Sequence, residues 1–315
     1  MAAIYHPGEL SVQTRAGRRD MADRVGKSIR AAVPPSAQEF LRHQPLAIIG
    51  TVDSDGRHWA SLLSGHPGFM QTVDEQTVRI TARPTPGDPL TDNLAIGGHA
   101  GMIVIDFATR HRMRLNGNIQ LQPDDTILLH VRQAYANCPK YIQARQWQIA
   151  AGPSPQKPPA LRAAGITEGQ ENWIHRADTF FVASSYPDGG ADASHRGGNP
   201  GFVRVVNRSR LVWPDYSGNM MFQTLGNIAA NPRIGLLFMD FENGGTLQLT
   251  GQAYINWDHD RPAAFSDAER LVEFDIEEAV ELIGASPFRW RFLESSPFNP
   301  TGCEGKTDQR FPSEG

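Results

Sequence analysis

Hydrophobic positions along the chain fall into short runs separated by turn residues, a pattern that predicts β-strands. Residues 46–52 form a short apolar, β-branched run, and the Asp55-Gly56 dipeptide that follows is typical of a tight hairpin. Residues 101–107 form a continuous apolar run, as expected for a strand buried on both faces. Residues 112–121 alternate polar and apolar side chains, as in a strand with one face in water. The pattern therefore predicts a small barrel or sandwich.

The same pattern occurs a second time. Residues 179–185, 234–241 and 246–255 repeat the three runs in the same order, and landmark residues recur 133 or 134 positions apart. The repeated units, 40–125 and 175–257, are far longer than solenoid repeats, so they indicate a duplicated domain. The landmark pairs are Asp55-Gly56 with Asp188-Gly189, Pro67-Gly68-Phe69 with Pro200-Gly201-Phe202, Asn93 with Asn227, Asp106-Phe107 with Asp240-Phe241, and Gly117 with Gly251.

Helical patterns are confined to the chain ends and to the segments between strands. Residues 18–31 show helical spacing of apolar and basic side chains, and a second helix is predicted from Pro139 to Ala151. Residues 266–284 indicate, in part, an acidic helix on the surface. Thr167 and Gln170 have the spacing of a capping box, which predicts that a helix begins before the second unit.

These patterns predict a mainly β protein with helices, of the α+β class, in five parts. Residues 296–315 have little apolar content and are expected to be a flexible tail. The other parts are an N-terminal helical segment (1–39), a first barrel with a trailing helix (40–151), a Pro-rich linker (152–165) and a second barrel with the acidic helix (166–295).

Composition and charge narrow the function classes. The net charge of −4 argues against a nucleic-acid-binding protein, which usually needs a basic face. Cys138 and Cys303 are far apart and form no CxxC pair, so a disulfide framework is not expected. The first residues lack a signal-peptide pattern, and no apolar run is long enough to cross a bilayer, so we expect a cytoplasmic protein without a membrane partner. The adjacent Asp258, His259 and Asp260 rarely converge on one ion, and no metal site is predicted.

Two segments carry a resemblance to a known family. Residues 220–241 (MMFQTLGNIAANPRIGLLFMDF) resemble the phosphate-gripping turn and following strand of the pyridoxamine 5′-phosphate oxidase-like family. Residues 247–255 and 112–121 resemble the next strand of that family in the second and first repeat. Members have a six-stranded split barrel and usually dimerise, with FMN in the groove between two barrels. The resemblance thus implies two tandem FMN-binding split β-barrels that form an internal pseudo-dimer.

The resemblance also implies cofactor-binding residues. The family's phosphate-facing strand corresponds to Asp192–Arg196, which keeps an arginine, whereas its Arg-Lys pair falls on Gln223 and Thr224, so both cations are absent. The arginine and tryptophan that hold the substrate of vitamin-processing members have no match in the C-terminal part, so pyridoxamine phosphate oxidation itself is not expected. The family's aromatic-Thr pair falls on the segment from Asn219 to Phe222, and its flavin-contacting glutamine falls on Thr246 and, in the first repeat, on Arg112.

The chemistry of FMN points to a similar set. A phosphate dianion is bound by arginine, hydroxyl groups and backbone N–H groups, which Arg196, Ser194, Thr224 and Gly197 supply near predicted strand ends. His195 hydrogen-bonds the phosphate or a flavin carbonyl, or is a plain exposed histidine.

Two further cations are candidates in the first repeat. Arg83 follows the VRITAR strand and binds phosphate, or is a surface arginine in a solvated turn. Lys140 belongs to an Asn137-Cys138-Pro139-Lys140 phrase that predicts a helix start. It points to the flavin or a substrate anion, or the phrase simply packs on the barrel with an inert thiol.

The resemblance implies an FMN-dependent oxidoreductase of unknown substrate, with electrons from NADH, NADPH or a partner reductase. A flavin carries out its own redox chemistry, so the sequence names no catalytic residue. The alternative is a non-catalytic flavin- or haem-binding or storage protein, and a third reading is a purely structural barrel pair. A homodimer is expected, because split barrels expose broad sheet faces.

Overall fold

The computed structural model describes residues 4–150, 160–187, 190–258, 265 and 267–301. The described residues are mainly β, as the pattern predicted. The first repeat and its N-terminal extension contain α1 (Pro7–Arg15), α2 (Arg19–Gly26), α3 (Pro35–His43), β1 (Leu46–Val52), β2 (His58–Ser64), β3 (Met70–Asp74), β4 (Thr77–Ile80), α4 (Leu90–Ile96), β5 (Gly98–Asp106), β6 (His111–Leu121), β7 (Ile127–Asn137) and β8 (Ala144–Ile149). The second contains β9 (Leu161–Ala163), α5 (Glu168–Arg176), β10 (Thr179–Tyr186), β11 (Gly190–Gly197), β12 (Arg204–Asn207), β13 (Arg210–Tyr216), α6 (Gln223–Ala230), β14 (Arg233–Met239), β15 (Thr246–Asn256), β16 (Ala268–Leu282) and β17 (Phe288–Glu294).

The two repeats have the same sheet topology. Strand order is β2-β1-β5-β6-β7-β4-β3 in the first sheet and β11-β10-β14-β15-β16-β13-β12 in the second, with β9 added beside β16. Each strand of the first sheet has its counterpart at the same place in the second. The predicted duplication is therefore confirmed.

Each repeat has its own apolar core. One cluster of buried side chains fills the first sheet and α3, and a second fills the second sheet, α5 and α6. The long strands β6 and β15 bend around these cores at a bulge, where the register shifts before Gly117 and Gly251. A Cβ at either glycine would meet a backbone carbonyl oxygen of the neighbouring strand at 1.9 Å. The bulge therefore explains why glycine recurs at this landmark.

The two repeats pack against each other through a third apolar cluster, which contains Leu46, Ile48 and Ile103 from the first repeat with Phe181 and Leu237 from the second. At this interface the strand backbones approach closely. A Cβ on Gly101 would lie 2.4 Å from the backbone of Asp192, and one on Gly235 would lie 2.4 Å from the carbonyl oxygen of His58. Only glycine permits these two contacts, and Gly101 and Gly235 are equivalent positions of the two repeats.

The prediction of a helix from Pro139 to Ala151 is wrong. Residues 144–149 form β8, which pairs antiparallel with β17 and places Trp147 opposite Trp290. The partner strand lies about 140 residues further along the chain, so the pairing depends on a contact that local spacing does not reveal. No helix begins at Asn137-Cys138, because β7 extends to Asn137.

The acidic helix predicted within 266–284 is also wrong. Residues 268–282 form β16, in which buried and half-buried positions alternate from Val272 to Ile276, and which pairs with both β13 and β15. Glutamate and aspartate favour helices or turns over strands, but two neighbouring strands satisfy the backbone and override that preference. The N-terminal helix is shorter than 18–31, because α2 ends at Gly26.

Other expectations have mixed outcomes. The Thr167–Gln170 capping box is present at the start of α5. The Asp188-Gly189 turn, most of the 152–165 linker, the tail beyond 301, and His259 and Asp260 lie outside the described residues. The five-part division stays a prediction. Within the described part of the chain, no helix is long and apolar enough to cross a membrane.

We expect Gly101→Ala and Gly235→Ala each to lower the free energy of unfolding by about 1–3 kcal/mol, because the added methyl group pushes two strand backbones apart. Gly169→Ala is the matched control. It lies on the exposed face of α5 with no atom closer than 3.9 Å, and should raise the free energy of unfolding by about 0.5–1 kcal/mol. Urea unfolding of the three variants measures the difference. Equal effects at all three glycines would contradict the close approach.

Candidate functional site

A cavity of about 90 Å³ lies where the two repeats meet. Its walls come from β6 and the segment after β7 in the first repeat, and from β11, the end of β13 and the start of α6 in the second. Neither repeat alone contains the site. The barrel pairing therefore builds it.

The cavity is lined by four cationic side chains: Arg112, Arg114, Arg196 and Lys140. Arg114 is only 6% exposed, and the Nε–H groups of Arg112 and Arg114 have no hydrogen-bond partner among the described residues. Burial lowers the pKa of Arg112 and of Arg196 to about 10 each. Unpaired buried N–H groups are costly, so this wall is ready to receive an anion.

Asp215 is the carboxylate among the lining residues. Its Oδ2 lies 3.5 Å from Nε of the buried Arg270, and Arg196 is also close. Burial raises the pKa of Asp215, and the two arginines oppose that rise only in part. One carboxylate against four cations leaves the cavity with net positive charge.

His195 adds a neutral donor to the same wall. Nη1 of Arg112 lies 2.9 Å from Nδ1 of His195, and a guanidinium can only donate, so Nδ1 accepts and the ring proton is on Nε2. Burial, together with Arg112 and Arg196, holds the pKa of His195 well below its usual value. Nε2 is buried and has no partner among the described residues, so its N–H is an unpaired donor next to the cavity lining.

The start of α6 forms the opposite wall. Phe222 precedes the helix with a left-handed φ of 58°, and no side chain caps the first turn. The hydroxyl groups of Ser194 and Thr224 are 2.8 Å apart, and Oε1 of Gln223 accepts from Arg114 at 3.2 Å. Uncapped backbone N–H groups at a helix start bind anions, so this wall complements the arginines.

Aromatic side chains lie beside the charged walls. The rings of Tyr141 and Tyr216 are 5.2 Å apart, and both line the cavity with Phe222. Lys140 and Tyr141 donate to the carbonyl oxygen of Ser217 at 3.3 and 3.0 Å, which ties the segment after β7 to the second repeat. Flat apolar surface next to an anion site suits a ligand with an aromatic ring and a charged tail.

A buried polar network holds α6 from behind. Nε2 of His6 lies 2.8 Å from Oδ1 of Asn227, whose Nδ2 donates to Ser184 and to Asp192, both at 3.0 Å. Asp192 also accepts from Asn116 of the first repeat. The helix α1 is thereby fixed against α6, and the backbones pass so closely that a Cβ on Gly226 would lie 2.5 Å from Cα of Glu9.

The structure brings together most of the residues predicted for the site. Ser194 lies just behind the lining, bonded to Thr224. Nine predicted residues line the cavity: Arg112, Lys140, His195, Arg196, Gly197, Asn219, Phe222, Gln223 and Thr224.

Two predicted residues do not line this cavity. Arg83 is exposed and pairs with Asp125 at 2.5 Å, as in the solvated-turn alternative. Thr246 is buried on β15, opposite Met239 and Leu282. Its first-repeat counterpart Arg112 does line the cavity.

Sequence reasoning missed Arg114, Asp215 and Tyr216. Arg114 follows Arg112 by two positions on β6, so strand periodicity could have found it. Asp215 and Tyr216 carry no such signal, because their strand reaches the cavity only through its pairing with β16.

Comparison with known proteins agrees with this architecture. A family model described as pyridoxamine 5′-phosphate oxidase matches residues 33–160 and again residues 166–291. The chain therefore belongs to the pyridoxamine 5′-phosphate oxidase family, with one copy of the domain in each repeat. No curated protein sequence matches the chain.

Similar solved structures each span about one repeat. HupZ of Group A Streptococcus is 17% identical over 36% of this chain and 90% of its own, with a TM-score of 0.30. An FAD-binding protein of Mesorhizobium loti is 10% identical over 39% of this chain and 97% of its own, with a TM-score of 0.27. HutZ of Vibrio cholerae, a haem storage protein, is 12% identical over 37% of this chain and 94% of its own, with a TM-score of 0.28.

Glu9 in the network behind α6 predicts a pH dependence. Burial, and then the nearby Asp192, raise the pKa of Glu9 to about 8. The folded protein keeps this proton, whereas an unfolded carboxyl loses it near pH 4.5. The unfolded state therefore binds fewer protons across this window, so stability falls as pH rises from about 4.5 to about 8.

We expect Glu9→Gln to remove this part of the slope, because glutamine keeps the shape and stays neutral. Urea midpoints at pH 5, 6, 7 and 8 for wild type and variant measure it. The pKa of His6 is lowered by burial and acts in the opposite direction, so the difference between the two proteins isolates Glu9. Parallel pH profiles would contradict a raised pKa at Glu9.

Proposed function

We propose that this protein binds FMN in the cavity between its repeats and acts as a flavin-dependent oxidoreductase. The observation that carries the proposal is the group of donors without partners on one wall: Nε of Arg112, Nε of Arg114 and Nε2 of His195. They belong to residues that line a cavity with net positive charge, whose lining also includes an uncapped helix start. Such a site fits a dianion far better than a neutral ligand.

The residues present fit the parts of FMN. Arg112, Arg114 and Arg196, with the Ser194 and Thr224 hydroxyls, would hold the phosphate. A cavity of about 90 Å³ is smaller than a typical ligand pocket of roughly 300–1,000 Å³, so it suits the charged end of the ligand. Tyr141, Tyr216 and Phe222 are partly exposed and offer apolar surface for the flavin ring.

Two arginines of the first repeat compensate for the Arg-Lys pair of the family that is absent from the second repeat. That pair falls on Gln223 and Thr224 in the second repeat, and Arg112 and Arg114 on β6 of the first repeat supply two cations to the same cavity. The loss of positive charge on one repeat is thus offset by the other.

When bound, FMN supplies hydride and electron transfer, and the chain supplies binding, orientation and charge near the ring. Electrons would come from NADH, NADPH or a partner reductase, and would pass to a small-molecule substrate. The homodimer and the cytoplasmic location stay predictions.

Titration of the purified protein with FMN, followed by flavin fluorescence, tests binding. We expect Arg114→Gln and Arg196→Gln each to raise the Kd for FMN about 10- to 100-fold, because each removes a charged hydrogen bond to phosphate worth roughly 1.5–3 kcal/mol. Riboflavin, which lacks the phosphate, should bind all three proteins with similar, weaker affinity.

Arg83→Gln is the matched control, because Arg83 is exposed and paired with Asp125. It should leave the Kd unchanged. Failure of wild type to bind FMN would sink the proposal, and haem binding in a parallel titration would then favour the storage alternative. Turnover of the FMN-loaded protein with NADH or NADPH and an electron acceptor separates an enzyme from a flavin store.

A further inference from the structure

Because the chain is duplicated, a second groove exists between the repeats in which the two repeats have exchanged roles. We call this groove the second position, and we call the cavity described above the open cavity. Equivalent residues of the two repeats lie 133 or 134 positions apart, and a hydrogen bond that recurs in both repeats supports this alignment. Nδ2 of Asn93 donates to Thr51 at 2.9 Å, and Nδ2 of Asn227 donates to Ser184 at 3.0 Å. The second position therefore lies between β15 of the second repeat and β2 and α4 of the first.

The second position has lost the cations of the open cavity. Gln248 stands where Arg114 stands, and Thr246 where Arg112 stands. Leu62 and Leu63 replace His195 and Arg196, and both leucines are buried. These four positions therefore carry no cation, and the cation near Asp88 is Arg162, whose Nη2 donates to the carbonyl oxygen of Gly87 at 3.3 Å.

A carboxylate of the chain lies within the second position. Oδ1 of Asp88 accepts from the Ser61 hydroxyl at 2.6 Å and from the backbone N–H of Leu90 at 2.9 Å, and both its oxygens lie 3.3 Å from Nε2 of Gln248. Asp88 is 3% exposed. The counterparts of these three partners are Ser194, Thr224 and Arg114: Thr224 and Arg114 line the open cavity, and Ser194 lies behind them, bonded to Thr224.

Apolar packing closes the rest of the second position. Trp59 is buried with Val280, Leu282 and Ala285, and Ala160 packs against them. The hydroxyl of Thr85 donates to the carbonyl oxygen of Ala285 at 2.9 Å. Thr85 follows β4 and Ala285 follows β16, so this contact joins the counterparts of the two segments that Lys140 and Ser217 join at the open cavity.

We propose that the chain has a single ligand site, and that the related groove is closed by Asp88, whose carboxylate takes the place of the ligand's anionic group. The proposal rests on the proposed function for the nature of the ligand, and on the contacts of Asp88 for the closed groove. In the open cavity, the anionic group of the ligand would then be bound by the counterparts of the Asp88 donors: the Ser194 hydroxyl, the Arg114 side chain and the backbone N–H of Thr224.

Binding stoichiometry is the first test, with FMN as the probe. Wild type should take up one FMN per chain, and Arg114→Gln should weaken that binding about 10- to 100-fold without revealing a second class of site. Two FMN per chain, or one FMN that Arg114→Gln retains at full affinity, would overturn the single-site assignment.

The second test does not depend on flavin. Asp88→Ala removes the carboxylate and leaves its donors unpaired, so the Tm should fall by roughly 5 °C in sodium chloride. Sodium formate at the same ionic strength should restore at least half of that loss, because formate is a carboxylate of the right size. Asp88→Asn fills the same space and is the matched control, which should respond to formate no more than wild type does.

The outcomes separate the two proposals. If wild type binds no FMN but formate rescues Asp88→Ala selectively, the proposed function fails while the closed groove stands. If formate raises the Tm of Asp88→Ala no more than that of Asp88→Asn, the assignment of Asp88 is wrong whatever FMN does. If Asp88→Ala does not fold in chloride, refolding yield in formate against chloride makes the same comparison.

Discussion

Close packing of one repeat against the other is the constraint on which the rest of the structure depends. Glycines at equivalent positions, Gly101 and Gly235, let the strands of the two repeats approach to backbone contact, and apolar side chains fill the space around them. The cavity exists only because of this packing, since three of its four cations belong to the first repeat and its helical wall, α6, belongs to the second. A symmetric homodimer must carry every substitution at both of its interfacial grooves. In a tandem chain the two grooves can diverge, and here one has concentrated cations while the other holds Asp88.

The charge distribution of the open cavity has a cost that a ligand would relieve. Three arginines and a lysine are held near one another, and two of their N–H groups, Nε of Arg112 and Nε of Arg114, lack partners within the described structure. Burial penalises such groups, as the lowered pKa values of Arg112 and Arg196 reflect. Rigid support holds them in place: His195 stays neutral beside Arg112, and the network of His6, Asn227 and Asp192 fixes α6 from behind. An anion would satisfy donors that the fold has already oriented, so little ordering is required on binding.

Much of the site could be predicted from sequence, because a family resemblance and the chemistry of phosphate point to the same short segments. Residues from His195 to Gly197 and from Phe222 to Thr224 were found in this way, and they do meet around the cavity. It was less reliable to infer the role of a residue from its counterpart in the other repeat. The flavin-contacting position was placed on both Arg112 and Thr246, which are equivalent in sequence, yet only Arg112 lines the cavity. Equivalent positions have different surroundings once the two grooves differ, and one chain's pattern cannot show which groove stays open.

Periodicity, and residues that recur at one separation, were enough to predict the duplication, the mainly β character and the buried strands β5 and β14. Local signals also placed the capping box of α5. The assignment of residues 144–149 and 268–282 as strands required the folded structure. β8 pairs with a strand about 140 residues further along, β16 lies between β13 and β15, and this pairing overrides local helical preference. The folded structure alone decided which groove is open, because the cations of one repeat meet the helix of the other. Charge at a site is summed over neighbours in space, and those neighbours become known only when the two barrels are packed together.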